Sequence, residues 1–241
     1  MDNLTNESTI GRLLEEISWQ KAVRYRQGGR GIEDVLTAEV FMPLDYLPRD
    51  LFLGEVFRRG HGADRARAAV VAEIEDAQFT LLPDEVLVGP NAVKVQPDGY
   101  LSTPSTLVLM EAKRIRRSSF QTKQLARELV ALYQESNGRT PLLLLVLGAP
   151  PPVLVDTLGR IEPARAISLT IDEVIEETGA TQMTEDELPT DLEDTISWIT
   201  WTEIRELVMD QAASLPDLPH GLDGTMRRLA AAVTSAVDWH T

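Results

Sequence analysis

Residues 79–147 constrain the fold more than any other part of the chain. Short runs rich in Val and Leu follow one another in this segment and are separated by Pro and Gly, which is the pattern of β-strands joined by turns. The predicted strands are residues 79–82, 85–88, 92–96, 106–115 and 141–147. Because a sheet buries at least one apolar face, so many consecutive strands also require helices or a second sheet to cover them.

The sequence on either side of this segment repeats apolar residues at helical spacing. One helix is predicted from Ile32, because Ile32, Val35, Leu36, Val40 and Leu44 form an apolar stripe. Further helices are predicted over residues 9–27, 49–58, 63–77, 195–213 and 222–239, and another from a cap at 118 or 119 to 136. Residues 166–171 are predicted to be a strand. The order of elements therefore predicts an α/β fold with a mixed central sheet flanked by helices.

Composition excludes several classes of protein. The 241 residues contain no cysteine, which removes disulfides, thiolate metal sites and a cysteine nucleophile and fits a reducing compartment. The longest strongly apolar run, residues 142–147, is too short to cross a membrane, and the polar, acidic start of the chain does not resemble a signal peptide. We expect a cytoplasmic protein that does not contact a membrane.

Charge is distributed unevenly along the chain, whose net charge is −15. Residues 161–241 carry 17 acids and 4 bases, with ten acids and no base in the acidic segment, residues 172–194. Residues 112–127, the basic strip, carry six cations and no acid: Lys113, Arg114, Arg116, Arg117, Lys123 and Arg127. We expect a core at residues 1–160 and an acidic, mostly helical C-terminal extension at 161–241. The basic strip fits nucleic acid, although such runs are more often solvated helix faces.

Two predicted strands bring chemically useful side chains together. Glu111 and Lys113 lie two residues apart on one strand, so both project from the same face. If the chain reverses around residues 103–105, positions whose numbers sum to 209 lie opposite each other, and Asp98 then faces Glu111. Direct cross-strand neighbours have β-carbons about 4.5–5.5 Å apart, a separation at which two carboxylates can share one cation.

This arrangement favours hydrolysis of a phosphodiester. Carboxylate oxygens with no His or Cys beside them select Mg²⁺ or Mn²⁺ over zinc. A bound cation stabilises charge on phosphoryl oxygens and lowers the pKa of its water, and the Lys113 ammonium can orient that water. The predicted activity is a Mg²⁺-dependent nuclease, with Mn²⁺ as a substitute and Asp98 and Glu111 as metal ligands.

The order Pro97-Asp98, twelve further residues, then Glu111-Ala112-Lys113 resembles the signature of the PD-(D/E)xK nuclease superfamily. The resemblance covers roughly residues 30–150 and implies a restriction-endonuclease-like fold acting on DNA. It also implies that Gln124, at the start of the next helix, supports the site. The segment 198–204 is loosely similar to uncharacterised bacterial members found near defence genes, which implies a role in defence or DNA processing.

The resemblance further implies an acid from the first core helix. Glu33, at the start of that helix, is preferred as a metal ligand, and Glu39, within the apolar stripe, is the alternative. From the basic strip, Arg114, Arg116, Arg117 and Lys123 are the candidate nucleic-acid contacts.

Two other functions remain compatible with the sequence. The chain could be a catalytically inert, nuclease-like subunit for nucleic-acid binding or assembly. It could instead be an interaction protein whose acidic region docks on a basic partner, as a mimic of DNA. Neither the oligomeric state, with a homodimer as one option, nor the choice between DNA and RNA follows from the sequence.

Overall fold

The computed structural model describes residues 31–116, 118–180 and 192–241. The α-helices found there are α1 (Gly31–Tyr46), α2 (Leu53–Arg59), α3 (Asp64–Ala72), α4 (Gln124–Ser136), α5 (Pro163–Thr178), α6 (Trp201–Ser214) and α7 (Leu222–His240). The strands are β1 (Gln78–Leu81), β2 (Val86–Val88), β3 (Val93–Val95), β4 (Gly99–Ser102), β5 (Thr106–Ala112), β6 (Thr140–Leu147), β7 (Val153–Val155), β8 (Gly159–Ile161) and β9 (Ile196–Thr200). The helix predicted over 9–27 and part of the acidic segment lie outside the described residues.

Five of these strands form a mixed sheet in the order β1-β4-β5-β6-β9. β4 runs antiparallel to both β1 and β5, whereas β5, β6 and β9 are parallel to one another. The pairs β2–β3 and β7–β8 form two small antiparallel ribbons. The predicted α/β class with a mixed, helix-flanked sheet is therefore confirmed.

Helices cover the two faces of the sheet, and alternate residues of each strand point to opposite faces. Met110 and Leu144 pack in one core with α1, α2, α3, α6 and α7. Leu109 and Leu145 pack in the other core with α4 and α5. Because both faces are covered, β5 is buried along its whole length, and its residues 107–110 are all apolar rather than alternating with polar ones.

The C-terminal part of the chain completes the sheet. The structure corrects two predictions there, because residues 166–171 belong to helix α5 and residues 196–200 form strand β9. The buried residues of α5 recur at helical spacing: Ala166, Ile167, Thr170, Val174 and Thr178. The predicted strand covered only six residues, which is too short a stretch to show this spacing. The described part of 161–241 is mostly helical, as predicted, with three α-helices, and it also supplies strand β9 to the sheet.

Two further boundaries differ from the prediction. α4 begins at Gln124, not after a cap at 118 or 119, and it ends at Asn137 in the left-handed conformation, as the Asn-Gly pair predicts. β5 ends at Ala112, although the Lys113 N–H still donates to the Val146 carbonyl oxygen at 2.8 Å. No helix in the described residues is both long and apolar enough to cross a membrane.

Candidate active site

The register of the β4–β5 hairpin is the one predicted from the sequence. Gly99 pairs with Met110 and Ser102 with Leu107, so paired residue numbers sum to 209. Asp98 lies just before β4 rather than at the end of the preceding strand β3, and its N–H donates to the Met110 carbonyl oxygen at 3.0 Å. The Asp98 carboxylate accepts the Ala112 N–H at 2.6 Å. These bonds continue the ladder and place Asp98 beside Glu111.

Glu111 is the centre of a buried hydrogen-bonded group. Its Oε1 accepts from Lys113 Nζ at 2.5 Å and from Gln124 Nε2 at 2.5 Å. The Glu111 and Lys113 side chains are only 4% and 10% exposed. A buried ion pair of this kind loses much hydration and is retained only with close geometry and further hydrogen bonds. The structure therefore brings Asp98, Glu111, Lys113 and Gln124 together, at the end of β5 and the start of α4.

Glu128 is a further acid at this site, and the sequence analysis missed it. It lies one helical turn after Gln124 on α4, so the two side chains share a face, and that spacing was a signal available in the sequence. The Glu128 side chain is buried, and its Oε2 has no hydrogen-bond partner. Burial, and then the charge of the neighbouring Glu111, raise the pKa of Glu128 well above its usual range.

A cleft of about 500 Å³, the carboxylate cleft, opens over these residues. Besides the four predicted residues and Glu128, its charged lining consists of Asp34, Lys94, Arg114, Arg127 and Asp156. Among the side chains of α1 that the structure describes, Asp34 is an acid that lines this cleft. The lining thus contains both acids and bases, which suits a phosphate held against a cation.

The structure describes the side chain of only one of the two acids predicted from the first helix. The side chain of Glu33 lies outside the described part of the structure. Glu39 does not reach the carboxylate cleft: it is exposed, and its carboxylate lies 3.2 Å from His240 Nε2 of α7. Glu39 as a metal ligand is therefore wrong, because the helix turns it towards solvent and α7.

Lys113 is held in place from three sides. Its carbonyl oxygen accepts the indole N–H of Trp201 at 2.7 Å, and its N–H donates into the sheet. Its ammonium also lies 4.9 Å from the centre of the Phe120 ring, within the range of a cation–π contact. These contacts come from β6, α6 and the segment before α4, so three parts of the chain set the position of one amine.

The residues of the basic strip differ in their surroundings. Arg114 lines the carboxylate cleft, Arg116 is exposed, and Arg117 lies outside the described residues. Lys123 forms ion pairs with Glu173 at 3.0 Å and Glu177 at 3.5 Å of α5, and the hydrogen bond to Glu173 raises the pKa of Lys123. Of the four predicted nucleic-acid contacts, Lys123 is thus already engaged by acids of the same chain.

The oxygen donors of the cleft suit one kind of metal ion better than others. In the parts of the chain that the structure describes, no group of three or more His, Asp or Glu side chains is gathered closely enough to hold a metal by itself. Mg²⁺ differs from zinc or calcium here, because it keeps several waters and takes one or two protein carboxylates plus substrate phosphate. Asp98 and Glu111, with the unpartnered Oε2 of Glu128 next to them, fit that requirement.

Comparisons of the chain with models of known protein families, with curated proteins and with solved structures return no match.

Proposed function

We propose that this protein is a Mg²⁺-dependent nuclease of the PD-(D/E)xK type that hydrolyses phosphodiester bonds in DNA. The observation that carries the proposal is the hairpin register, which puts Asp98 beside Glu111 while Lys113 Nζ lies 2.5 Å from the Glu111 carboxylate. These three residues line one open cleft with Gln124. A hydrolytic site of this chemistry needs the same parts: hard oxygen ligands and an amine beside the attacking water.

The order of the elements supports the same proposal. Helix α1 precedes an antiparallel run of sheet strands, β1, β4 and β5, and helix α4 then leads to the parallel strand β6. This is the helix, meander and helix arrangement that the resemblance implies around the motif. The cleft lies where β5 ends, and the carboxyl ends of parallel strands are where α/β sheets place their ligands.

Each residue of the cleft has a distinct role in the proposed reaction. Asp98 and Glu111 would hold Mg²⁺, which when bound supplies charge stabilisation at the phosphoryl oxygens and lowers the pKa of water. Lys113 donates a hydrogen bond to the attacking water and balances the negative charge that forms there. Gln124 fixes one Glu111 oxygen by its 2.5 Å hydrogen bond and so holds the carboxylate in position.

Two acids extend this set beyond the sequence motif. Asp34 is a further candidate for the acid from the first helix, beside the predicted Glu33, because it lines the carboxylate cleft. Glu128 lies behind Glu111 with a raised pKa, and in its neutral form it limits the repulsion between the two carboxyl groups. Arg114, on the cleft wall, is the proposed contact to the nucleic-acid backbone.

Metal binding and cleavage test the proposal together. Wild-type protein is incubated with plasmid DNA in Mg²⁺, Mn²⁺ or EDTA, and Mn²⁺ binding is measured separately by calorimetry. Asp98→Asn and Glu111→Gln should lower cleavage by at least about 100-fold and should weaken Mn²⁺ binding. Asp223→Asn, on α7, is the control and should change neither. Cleavage that survives EDTA, or a wild type that neither binds Mn²⁺ nor cuts DNA, would show the proposal to be wrong.

A further inference from the structure

A second pocket shares Lys113 with the carboxylate cleft. It has a volume of about 340 Å³, in the lower range of small-ligand pockets. Its lining is largely apolar and comes from the end of β6, the proline-rich bend at 150–152 and strand β7. We call it the apolar pocket, and the lining residues used below are Lys113, Phe120, Gly148, Pro152, Leu154 and Arg160.

The backbone gives this pocket fixed walls. The Phe120 N–H donates to the Leu154 carbonyl oxygen at 2.9 Å, which joins the segment before α4 to strand β7. On the opposite wall, a β-carbon at Gly148 would lie 2.3 Å from the Ile115 carbonyl oxygen, so only glycine permits this approach. The pocket is therefore built by packed backbone rather than left between loose side chains.

Lys113 connects the apolar pocket to the carboxylate cleft. It lines both cavities, with its amine 2.5 Å from Glu111 on one side and 4.9 Å from the Phe120 ring centre on the other. Arg160 supplies a second cation to the pocket, where its guanidinium donates to the Pro152 carbonyl oxygen at 3.1 Å. An apolar cavity that contains two cations and adjoins a proposed phosphate site is complementary to one nucleotide, which joins a flat base to a charged phosphate.

We propose that the apolar pocket receives an unpaired nucleobase next to the phosphodiester held in the carboxylate cleft. This inference rests on the proposed function and narrows its substrate to nucleic acid with at least one unpaired nucleotide. A base in a stacked duplex cannot enter a concave pocket, whereas an unpaired base can leave its stack and bury its faces against apolar side chains. Base identity is not read, because contact with the faces of the base is tolerant of sequence.

Leu154 is the residue that tests this pocket without threatening the fold. It is 45% exposed, at the centre of a three-residue strand in a two-stranded ribbon, and pairs with Arg160. Leu87 is its structural match outside the pocket: it is 54% exposed, at the centre of the three-residue strand β2, and pairs with Lys94. Leu154→Thr and Leu87→Thr thus make the same change in equivalent surroundings.

The experiment measures equilibrium binding by fluorescence anisotropy in EDTA, so that no cleavage occurs. Three probes of equal length are used: oligothymidylate, a strand made only of abasic residues, and an oligothymidylate–oligoadenylate duplex. Wild type should bind oligothymidylate roughly tenfold more tightly than the abasic strand, the scale of one well-filled apolar pocket, and more tightly than the duplex. Leu154→Thr should lose most of this preference, and Leu87→Thr should keep it. Thermal unfolding of both variants shows that the fold is retained.

The outcomes separate this inference from the proposed function. Equal wild-type affinity for oligothymidylate and the abasic strand would overturn the base pocket and leave the nuclease proposal standing. The base pocket is likewise overturned, and the nuclease proposal untouched, if Leu154→Thr and Leu87→Thr behave alike. If wild type binds none of the three probes, the nucleic-acid function itself fails, and the base pocket fails with it.

Discussion

The carboxylate cleft and the C-terminal layer of β9, α6 and α7 use charged residues in opposite ways. In the cleft, the side chains of Glu111 and Lys113 are 4% and 10% exposed, and Glu128 is buried. In the C-terminal layer, Arg205 and Asp238 pair at 2.6 Å with side chains 33% and 58% exposed. Buried charges lose hydration that surface pairs keep. The comparison indicates that the cleft carries an arrangement unfavourable for folding, which the apolar packing on both faces of the sheet offsets.

A buried hydrogen bond joins the two regions. Trp201, the first residue of α6, is 1% exposed in the core and donates to the Lys113 carbonyl oxygen. At this end of α6, Thr200 and Glu203 form a reciprocal capping box, and the Glu203 carboxylate also lies 2.7 Å from His61 Nε2. The C-terminal layer thus acts on the cleft mainly through the position of Lys113.

The two regions should differ most in how much stability is lost when one member of an ion pair is removed. Lys113→Met leaves Glu111 buried next to Glu128, so we expect the free energy of unfolding to fall by about 3–5 kcal/mol in EDTA. Asp238→Asn breaks an exposed pair and should lower it by no more than about 1 kcal/mol. Urea denaturation at neutral pH measures both. The double variant Lys113→Met/Glu111→Gln should recover much of the loss, and equal losses for the two single variants would contradict the comparison.

Replacing Glu128 is expected to raise the free energy of unfolding, by less than Lys113→Met lowers it and by an amount that depends on pH. Its raised pKa means that, above the usual pKa of a glutamate, the unfolded chain has released a proton that the folded protein still holds. The stability of wild type should therefore fall as pH rises through this window. Glu128→Gln removes this dependence, so it should stabilise the protein at pH 7 more than at pH 4. If the stability of Glu128→Gln relative to wild type is the same at pH 4 and pH 7, Glu128 is not held neutral in the folded protein.

The bond between the two regions can be removed without emptying the core. Trp201→Phe keeps an aromatic ring but leaves the buried Lys113 carbonyl oxygen without its indole donor. We expect a stability loss of about 1–3 kcal/mol, together with reduced cleavage as Lys113 shifts. Phe41→Leu, in the same core, is the control: it should lower stability without a matching loss of cleavage in the remaining folded protein. Cleavage unchanged in Trp201→Phe would show that the C-terminal layer does not position Lys113.

The smallest effect is expected from the helix cap. Thr200→Ala removes the side chain that accepts the Glu203 N–H, which should lower the free energy of unfolding by about 1 kcal/mol. Mn²⁺ binding should stay at the wild-type value, because the cap faces α6 and not the cleft. Calorimetric unfolding and Mn²⁺ titration of the same sample measure the two quantities. Weakened Mn²⁺ binding at unchanged stability would mean that the regions are coupled through more than Trp201.

Local sequence determined those features that depend on the spacing of neighbouring residues. Turn residues at 103–105 and the alternation of the strand set the register that brings Asp98 to Glu111, and Asn137-Gly138 set the end of α4. The α/β class followed from the order in which segments with helical spacing and segments with strand patterns occur along the chain. In each case the interacting residues are close in sequence, so one turn or one strand settles the geometry.

Tertiary structure decided what depends on partners far along the chain. Residues 196–200 became a strand because the edge of β6 was open to pair with them, and Asp34 rather than Glu39 faces the cleft because α1 packs with its apolar stripe against the sheet. The ion pairs of Lys123 with Glu173 and Glu177 arise from packing between α4 and α5. Spacing along the chain cannot specify such contacts, because they depend on how whole elements pack once hydrophobic burial has assembled them.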